Sequence, residues 1–507
     1  MMAALDTTVT VGVVGAGAMG GGIAQVAAAA GHRVVLFDAR DGAAAQAVTR
    51  LRDVFATLAV KGRMTAEAAD TATSRLSAAT TLADLAPAGL VVEAVVEDLA
   101  VKQGLFRDLE GLVGDDAILA TNTSSLSVTA IGAALSRPGR LAGLHFFNPA
   151  PLMPLVEVVS GLGTDPAVAE ALFDTAKGWG KTPVHAASTP GFIVNRVARP
   201  YYAEAIRLLE EGAADSATID ALFREAGGFR MGPFELMDMI GHDVNFAVTR
   251  SVWTAFFHDP RFTPSLTQQE LVAAGFLGRK SGRGFYDYRE GAIRPAVPTA
   301  DGAAPARIVL HGDSGFAGVL AARLTDRGVA FDRVGADDGR VATVDGVAVF
   351  VTDGRTAAER AAASGTPAVA VVDTAFDPAT AVRLAFATAH PGPAGGETAV
   401  AGLLAAAGIA PTPVADTPGL VVMRTVAMLA NEAADAVHRG VCSAAAADTA
   451  MRLGTNYPRG PLAWADALGV ATVAEVLANL AAFYGEDRYR LSPFLRLRAI
   501  GGRGCHD

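Results

Sequence analysis

A histidine and a glutamate set in apolar runs are the side chains best placed to do acid–base chemistry. His145 stands in Leu141-Ala142-Gly143-Leu144-His145-Phe146, and Glu157 in Leu155-Val156-Glu157-Val158-Val159. A carboxylate among apolar neighbours is costly unless paired. Only residues 147–154, rich in proline, join the two runs. That is too short for a helical crossover, so the strands are predicted to pair antiparallel. Such pairing brings Glu157 to His145, where it would fix the imidazole tautomer as a general base requires. The plainer reading is a satisfied core histidine. Ser124, in Thr121-Asn122-Thr123-Ser124-Ser125, either hydrogen-bonds a substrate oxygen or belongs to a loop that caps the next helix. Asn195 either binds a developing oxyanion or satisfies local backbone.

Residues 9–38 have the pattern of a dinucleotide site. An apolar strand at 9–14 leads into Gly15-Ala16-Gly17-Ala18-Met19-Gly20, which fits G-x-G-x-x-G, and a small-residue helix follows. Gly15 permits the tight turn, Gly17 admits a pyrophosphate, and Gly20 lets helix and strand pack closely. Ala18 and Met19 open the helix, where free N–H groups and the dipole favour negative charge. A second strand, 33–37, ends at Asp38, eighteen residues beyond Gly20. A carboxylate there suits a ribose diol and repels a 2′-phosphate, so NAD is the expected cofactor.

The 507 residues are 51% hydrophobic and 19% charged, which implies a folded chain of several domains. A net charge of −10 argues against nucleic acid and anionic membranes as partners. The glycine-rich uncharged run 7–31 is preceded by residues 1–6, which hold no basic side chain, and Pro411 and Pro413 break the uncharged stretch 399–415. Neither a signal peptide nor a spanning segment is expected. Cys442 and Cys505 make no disulfide framework and no metal site, which fits a cytoplasmic protein.

Strands and helices alternate over 1–187, with further strands predicted at 90–94, 117–121, 141–146 and 155–160, as in a mostly parallel doubly wound sheet. Residues 188–290 read as helical, with Thr189 as cap and Pro190 in the first turn. A Pro/Ala/Gly-rich linker spans 291–306. Over 307–413 the alternation returns, with strands at 307–310, 347–351 and 368–372. There Gly312-Asp313-Ser314-Gly315 lacks the full fingerprint, as in a Rossmann-like half without a nucleotide site. Residues 414–507 repeat the helical domain. Thr189-Pro190-Gly191-Phe192-Ile193-Val194-Asn195-Arg196 recurs as Thr417-Pro418-Gly419-Leu420-Val421-Val422-Met423-Arg424, an offset of 228 residues. The same offset relates Glu204 to Glu432, Gly232-Pro233 to Gly460-Pro461, Asp238 to Asp466 and Gly241 to Gly469. The fold class is therefore an α/β Rossmann-type doubly wound sheet plus an all-α C-terminal domain, duplicated after a degenerate Rossmann-like middle domain.

The glycine loop, Asn122-Thr123-Ser124-Ser125-Leu126, His145-Phe146-Phe147-Asn148-Pro149, Glu157, the 189–196 segment and Met231-Gly232-Pro233-Phe234-Glu235-Leu236 together resemble the L-3-hydroxyacyl-CoA dehydrogenase family. Gly282-Arg283-Gly284-Phe285-Tyr286 resembles its closing motif, and Gly502-Arg503-Gly504 a remnant of it. The layout is similar to the long bacterial branch of phenylacetate breakdown, which acts on 3-hydroxyadipyl-CoA. The resemblance implies oxidation of an L-3-hydroxyacyl-CoA, 3-hydroxyadipyl-CoA or 3-hydroxybutyryl-CoA, to the 3-oxoacyl-CoA. His145 would take the hydroxyl proton, Glu157 balance the imidazolium, and Ser124 and Asn195 hold the reacting oxygen. It adds Glu97, Lys102 and Asn122 to the cofactor site, and Asn148 to the acyl-CoA site. Lys61 and Arg63, in a polar stretch, are expected to meet CoA phosphates or else to be a solvated helix end. Met423 in place of Asn195 implies one active site, hence one NAD and one acyl-CoA per chain. Short family members pair their helical domains between subunits; this chain would form a homodimer or pair its two copies internally. A dehydrogenase of a free hydroxy acid and a non-enzymatic binding protein are the alternatives.

Overall fold

A computed structural model describes residues 4–336, 338–389 and 395–507. The chain forms two compact units, Met1–Arg196 with Arg439–Thr455, and Val197–His438 with Asn456–Asp507.

The first unit is built on eight strands: β1 Thr10–Val14, β2 Val34–Phe37, β3 Leu76–Ala78, β4 Ala88–Glu93, β5 Ile118–Thr121, β6 Leu141–Phe146, β7 Leu155–Ser160 and β8 Thr182–Ala187. Their order is β3-β2-β1-β4-β5-β6-β7-β8. All neighbours run parallel except β6 and β7, which pair antiparallel as predicted. The near-continuous Val, Leu and Ile of β1, β4, β5 and β6 suit strands covered on both faces. The sequence reading passes over β3 and β8; one has three residues and the other carries Pro183. Winding reverses between β1 and β4, so the glycine loop after β1 lies at the switch point where such sheets bind ligands. Gly15 has φ +101°, and a Cβ on Gly20 would come 1.8 Å from the Gly15 carbonyl oxygen.

The expected helix start at Thr189 is corrected. Residues 190–193 form a turn, with Phe192 at φ 46°, and the helix Val194–Val197 begins only afterwards. The Thr189 carbonyl accepts from Phe192 N, and its hydroxyl makes no cap. Pro200 then separates this short helix from Arg199–Glu210, because proline lacks an N–H. The repeat has Met428 at that place and runs unbroken as Val422–His438.

The second unit holds a seven-stranded mixed sheet: β9 Ile308–His311, β10 Asp332–Val334, β11 Arg340–Val344, β12 Val347–Val351, β13 Val369–Val372, β14 Arg383–Thr388 and β15 Ala410–Pro413. Its order is β10-β9-β11-β12-β13-β14-β15. The duplication reaches back into this sheet. Leu144 faces Val158 across β6/β7, and Val372 faces Phe386 across β13/β14; Leu155 faces Thr182, and Arg383 faces Ala410. Each second pair is the first displaced by 228 residues.

Also in the second unit, Val422–His438 packs on Arg199–Glu210, so the helical copies meet inside one chain. Arg424 bonds Glu204 and Glu211 at 2.7 and 2.8 Å, and Arg207 bonds Glu486 at 2.9 Å. One helix of the second copy takes no part in that pairing. Ala444–Thr455 lies on β7 and β8 of the first unit, while its counterpart Ser216–Glu225 lies on β14 of the second. The entry to each is matched: Ala187 N donates to the Val441 carbonyl at 2.8 Å, and Ala415 N to the Ala213 carbonyl at 2.9 Å.

Candidate active site

Register sets the centre of the site. β6 and β7 place His145 opposite Glu157, with Nδ1 2.6 Å from Oε2. Both side chains are buried. With Glu157 ionised, the proton sits on Nδ1 and the Nε2 lone pair is left to act as a base. The rings of Phe147 and Phe192 flank the imidazole at 4.5 and 5.7 Å. The second Glu157 oxygen, Oε1, accepts from Ile193 N and Val194 N, both at 3.0 Å. One carboxylate thus orients the histidine and caps the segment that carries Asn195. Asn195 Nδ2 in turn reaches the Ser124 carbonyl at 3.4 Å.

The loop after β5 is held from below. Glu97 Oε1 accepts from Thr123 Oγ1 at 2.6 Å, Ser124 N at 2.9 Å, Ser125 N at 3.1 Å and Ser125 Oγ at 3.0 Å. Burial works against this carboxylate, but the Thr123 hydroxyl, Lys102 and the Ser124 amide outweigh it and lower its pKa. Lys102 is 1% exposed, with Nζ bonded to Glu93 and 3.2 Å from Glu97. Glu93 also accepts from Thr121 Oγ1 and Val95 N. Asn122 Oδ1 accepts from Phe146 N at 2.8 Å, tying this loop to the end of β6 beside His145. Ser127, not Ser124, caps the following helix, Val128–Gly132.

At the glycine loop, Asp38 accepts from Ala16 N at 2.8 Å and from the Arg40 backbone and guanidinium. The Arg40 fork, foremost, holds the Asp38 pKa well below the usual carboxylate range. The residues present fit a dinucleotide. A Cβ on Gly17 would meet nothing within 4 Å, and the Ala18–Ala29 helix has no side-chain cap to occupy its first amides. Lys61 and Arg63 stand apart. They are exposed and line a hollow of about 280 Å³ with Asp53 and Thr57. Asn148 is exposed and precedes the cis peptide to Pro149. Sequence reasoning misses Glu93, Thr123 and Arg40. Glu93 carries the signal that exposes Glu157, an acid ending an apolar strand.

In the second copy the same positions are emptied of chemistry. The 228-residue register puts Asp373 where His145 stands and Ala385 where Glu157 stands, with Asp373 N donating to the Ala385 carbonyl. Asp373 spends its carboxylate on Val421 N, Val422 N and Met423 N.

Known families match this layout. Residues 10–189 match the 3-hydroxyacyl-CoA dehydrogenase NAD-binding domain, and residues 191–288 and 419–503 both match the C-terminal domain. The chain belongs to the 3-hydroxyacyl-CoA dehydrogenase family. Residues 349–418 match the reduced Rossmann-fold domain of 3-hydroxybutyryl-CoA dehydrogenase. The 3-hydroxyadipyl-CoA dehydrogenase of Escherichia coli (strain K12) is 45% identical over 495 residues, 97% of each chain. The crystal structure of 3-hydroxybutyryl-CoA dehydrogenase from E. coli K12 superposes with a TM-score of 0.89 at 44% identity, covering 98% of this chain and 99% of that one. The mitochondrial hydroxyacyl-coenzyme A dehydrogenase of Sus scrofa is 42% identical over 283 residues, 55% of this chain and 90% of its own. This family member is an NAD-dependent oxidoreductase of 3-hydroxyacyl-CoA thioesters, which removes the free-acid and non-enzymatic alternatives.

Proposed function

We propose that this dehydrogenase oxidises 3-hydroxyadipyl-CoA to 3-oxoadipyl-CoA in the cytoplasm. The near full-length match to the E. coli 3-hydroxyadipyl-CoA enzyme supports the substrate. Cytoplasmic residence is compatible with the absence, among described residues, of any single helix long and apolar enough to cross a membrane.

The observation that carries the mechanism is the buried His145–Glu157 pair at 2.6 Å. His145 Nε2 takes the proton of the 3-hydroxyl, and Glu157 stabilises the imidazolium that forms. Ser124 and Asn195 hold the reacting oxygen. Bound NAD would supply the acceptor for the C3 hydride. Gly15, Gly17, Ala18, Met19 and Gly20 bind its diphosphate, and Asp38 takes the adenosine ribose, sharing its oxygens with Arg40. Glu97, Lys102 and Asn122 act by shaping the switch-point loop. Lys61, Arg63 and Asn148 are the CoA-side contacts. We assign domains at 1–187, 188–290, 307–413 and 414–507, with a linker at 291–306. The two helical copies pair within the chain in place of a homodimer.

NADH oxidation with acetoacetyl-CoA, with free acetoacetate as control, tests the reaction class. A comparison of kcat/KM for 3-oxoadipyl-CoA and acetoacetyl-CoA tests the substrate. A lower value for the dicarboxylate thioester would overturn that assignment.

A further inference from the structure

Two 3-10 turns carry equivalent arginines in the two helical copies, Arg261 in Pro260–Phe262 and Arg488 in Asp487–Tyr489, where the offset between the copies has shortened to 227 residues. Each follows an acid by two residues and precedes an aromatic ring. Both are buried, at 7% and 8% exposure. Their surroundings differ in charge. Arg261 meets three carboxylates: Asp259 at 2.9 Å, Asp435 at 2.8 Å and Glu432 at 3.2 Å. The 228-residue offset turns Glu432 into Glu204 and Asp435 into Arg207. Glu204 is taken by Arg424 at 2.7 Å and the Tyr489 hydroxyl at 2.9 Å. Where Arg261 has Asp435, Arg488 has a cation. Its nearest acid, Glu486 at 3.8 Å, is bonded to Arg207 at 2.9 Å, and the buried Arg488 Nε has no hydrogen-bond partner. Burial, foremost, lowers the Arg488 pKa; Glu204 pulls against it, and Arg207 adds to the lowering.

Arg488, Arg207, Arg261 and Arg199 line one cavity of about 460 Å³. The acid in its wall is Glu210, exposed and held by the Ser265 and Thr267 hydroxyls at 2.8 and 2.7 Å. None of the residues assigned to dehydrogenation lines it. A buried guanidinium next to a second cation is a costly arrangement that an oxyanion relieves by charge-assisted hydrogen bonds. The volume lies in the range of small-molecule sites. We propose that this cavity binds a small dianion, bearing carboxylate or phosphate groups, which takes beside Arg488 the place that Asp435 holds beside Arg261.

Calorimetric titration of the full chain in low-salt buffer tests this, with adipate and inorganic phosphate as separate probes. One site per chain is expected, with Kd at least tenfold weaker in Arg488→Gln and turnover of acetoacetyl-CoA unchanged. Saturation by adipate alone identifies a carboxylate ligand, and by phosphate alone a phosphate ligand; saturation by both supports the shared chemistry. A second variant, Arg207→Asp, copies the other half's carboxylate and should abolish the titration while the protein remains folded. Absence of binding by both probes in the wild type overturns the proposal. So does an equal Kd in the wild type and either folded variant.

Discussion

Glu157 divides its two oxygens between chemistry and architecture. Oε2 faces His145, and Oε1 caps the amides of Ile193 and Val194. The variants should separate these tasks. His145→Gln removes the base and should lower kcat by about 10²–10⁴ with little change in Tm. Glu157→Ala should lose activity and also about 1–3 kcal/mol of stability, because two buried amides lose their acceptor. Urea denaturation beside steady-state kinetics checks both, and a fully stable Glu157→Ala would refute the capping role. The pair is legible in sequence because a carboxylate inside an apolar strand demands a partner, and a short loop names it. Arg40 is not legible in this way. It is exposed, and only the folded turn after β2 closes its fork on Asp38.

Asp373 shows what an element keeps when its catalysis is gone. It stands at the histidine's register position yet does the glutamate's capping work, with four amides on its carboxylate, those of Thr374, Val421, Val422 and Met423. Burial pushes its pKa up to about 6. The folded state therefore holds this proton more tightly than the unfolded chain does. This group destabilises least below about pH 4, and the cost grows to ~3 kcal/mol as pH rises to about 6, then levels. Asp373→Asn should flatten that part of the Tm profile between pH 4 and pH 7, read as wild type minus variant. An unchanged profile would count against a buried, titrating Asp373. The helical repeat is legible from residue 417 because its motif survives ungapped. The repeated sheet is not, because β13–β15 keep strand register while replacing the motif residues that would reveal it. The start after Thr189 misleads for a related reason. Thr-Pro is a good local cap, but a distant carboxylate already serves the amides there.

Across the molecule as a whole, the described residues hold one complete set of the proposed catalytic groups and one stripped set. Calorimetry should find one NADH per chain; two would contradict the loss of His145, Glu157 and Asn195 equivalents from the second half. A chain ending near residue 290 would lose the Val422–His438 helix that covers Arg199–Glu210. It should dimerise or aggregate in light scattering, whereas a stable monomer would argue against internal pairing. The apolar surface of Arg199–Glu210 that the missing helix uncovers is the driving force for that association. The two copies meet through Arg424–Glu204 and Arg207–Glu486, and the linkage between them is covalent. Mass action then has no hold on the pairing. A partner supplied by a second molecule is lost on dilution, but a tethered one stays at a fixed effective concentration. Specific activity should stay level as the enzyme is diluted from micromolar to nanomolar; a fall on dilution would count against internal pairing.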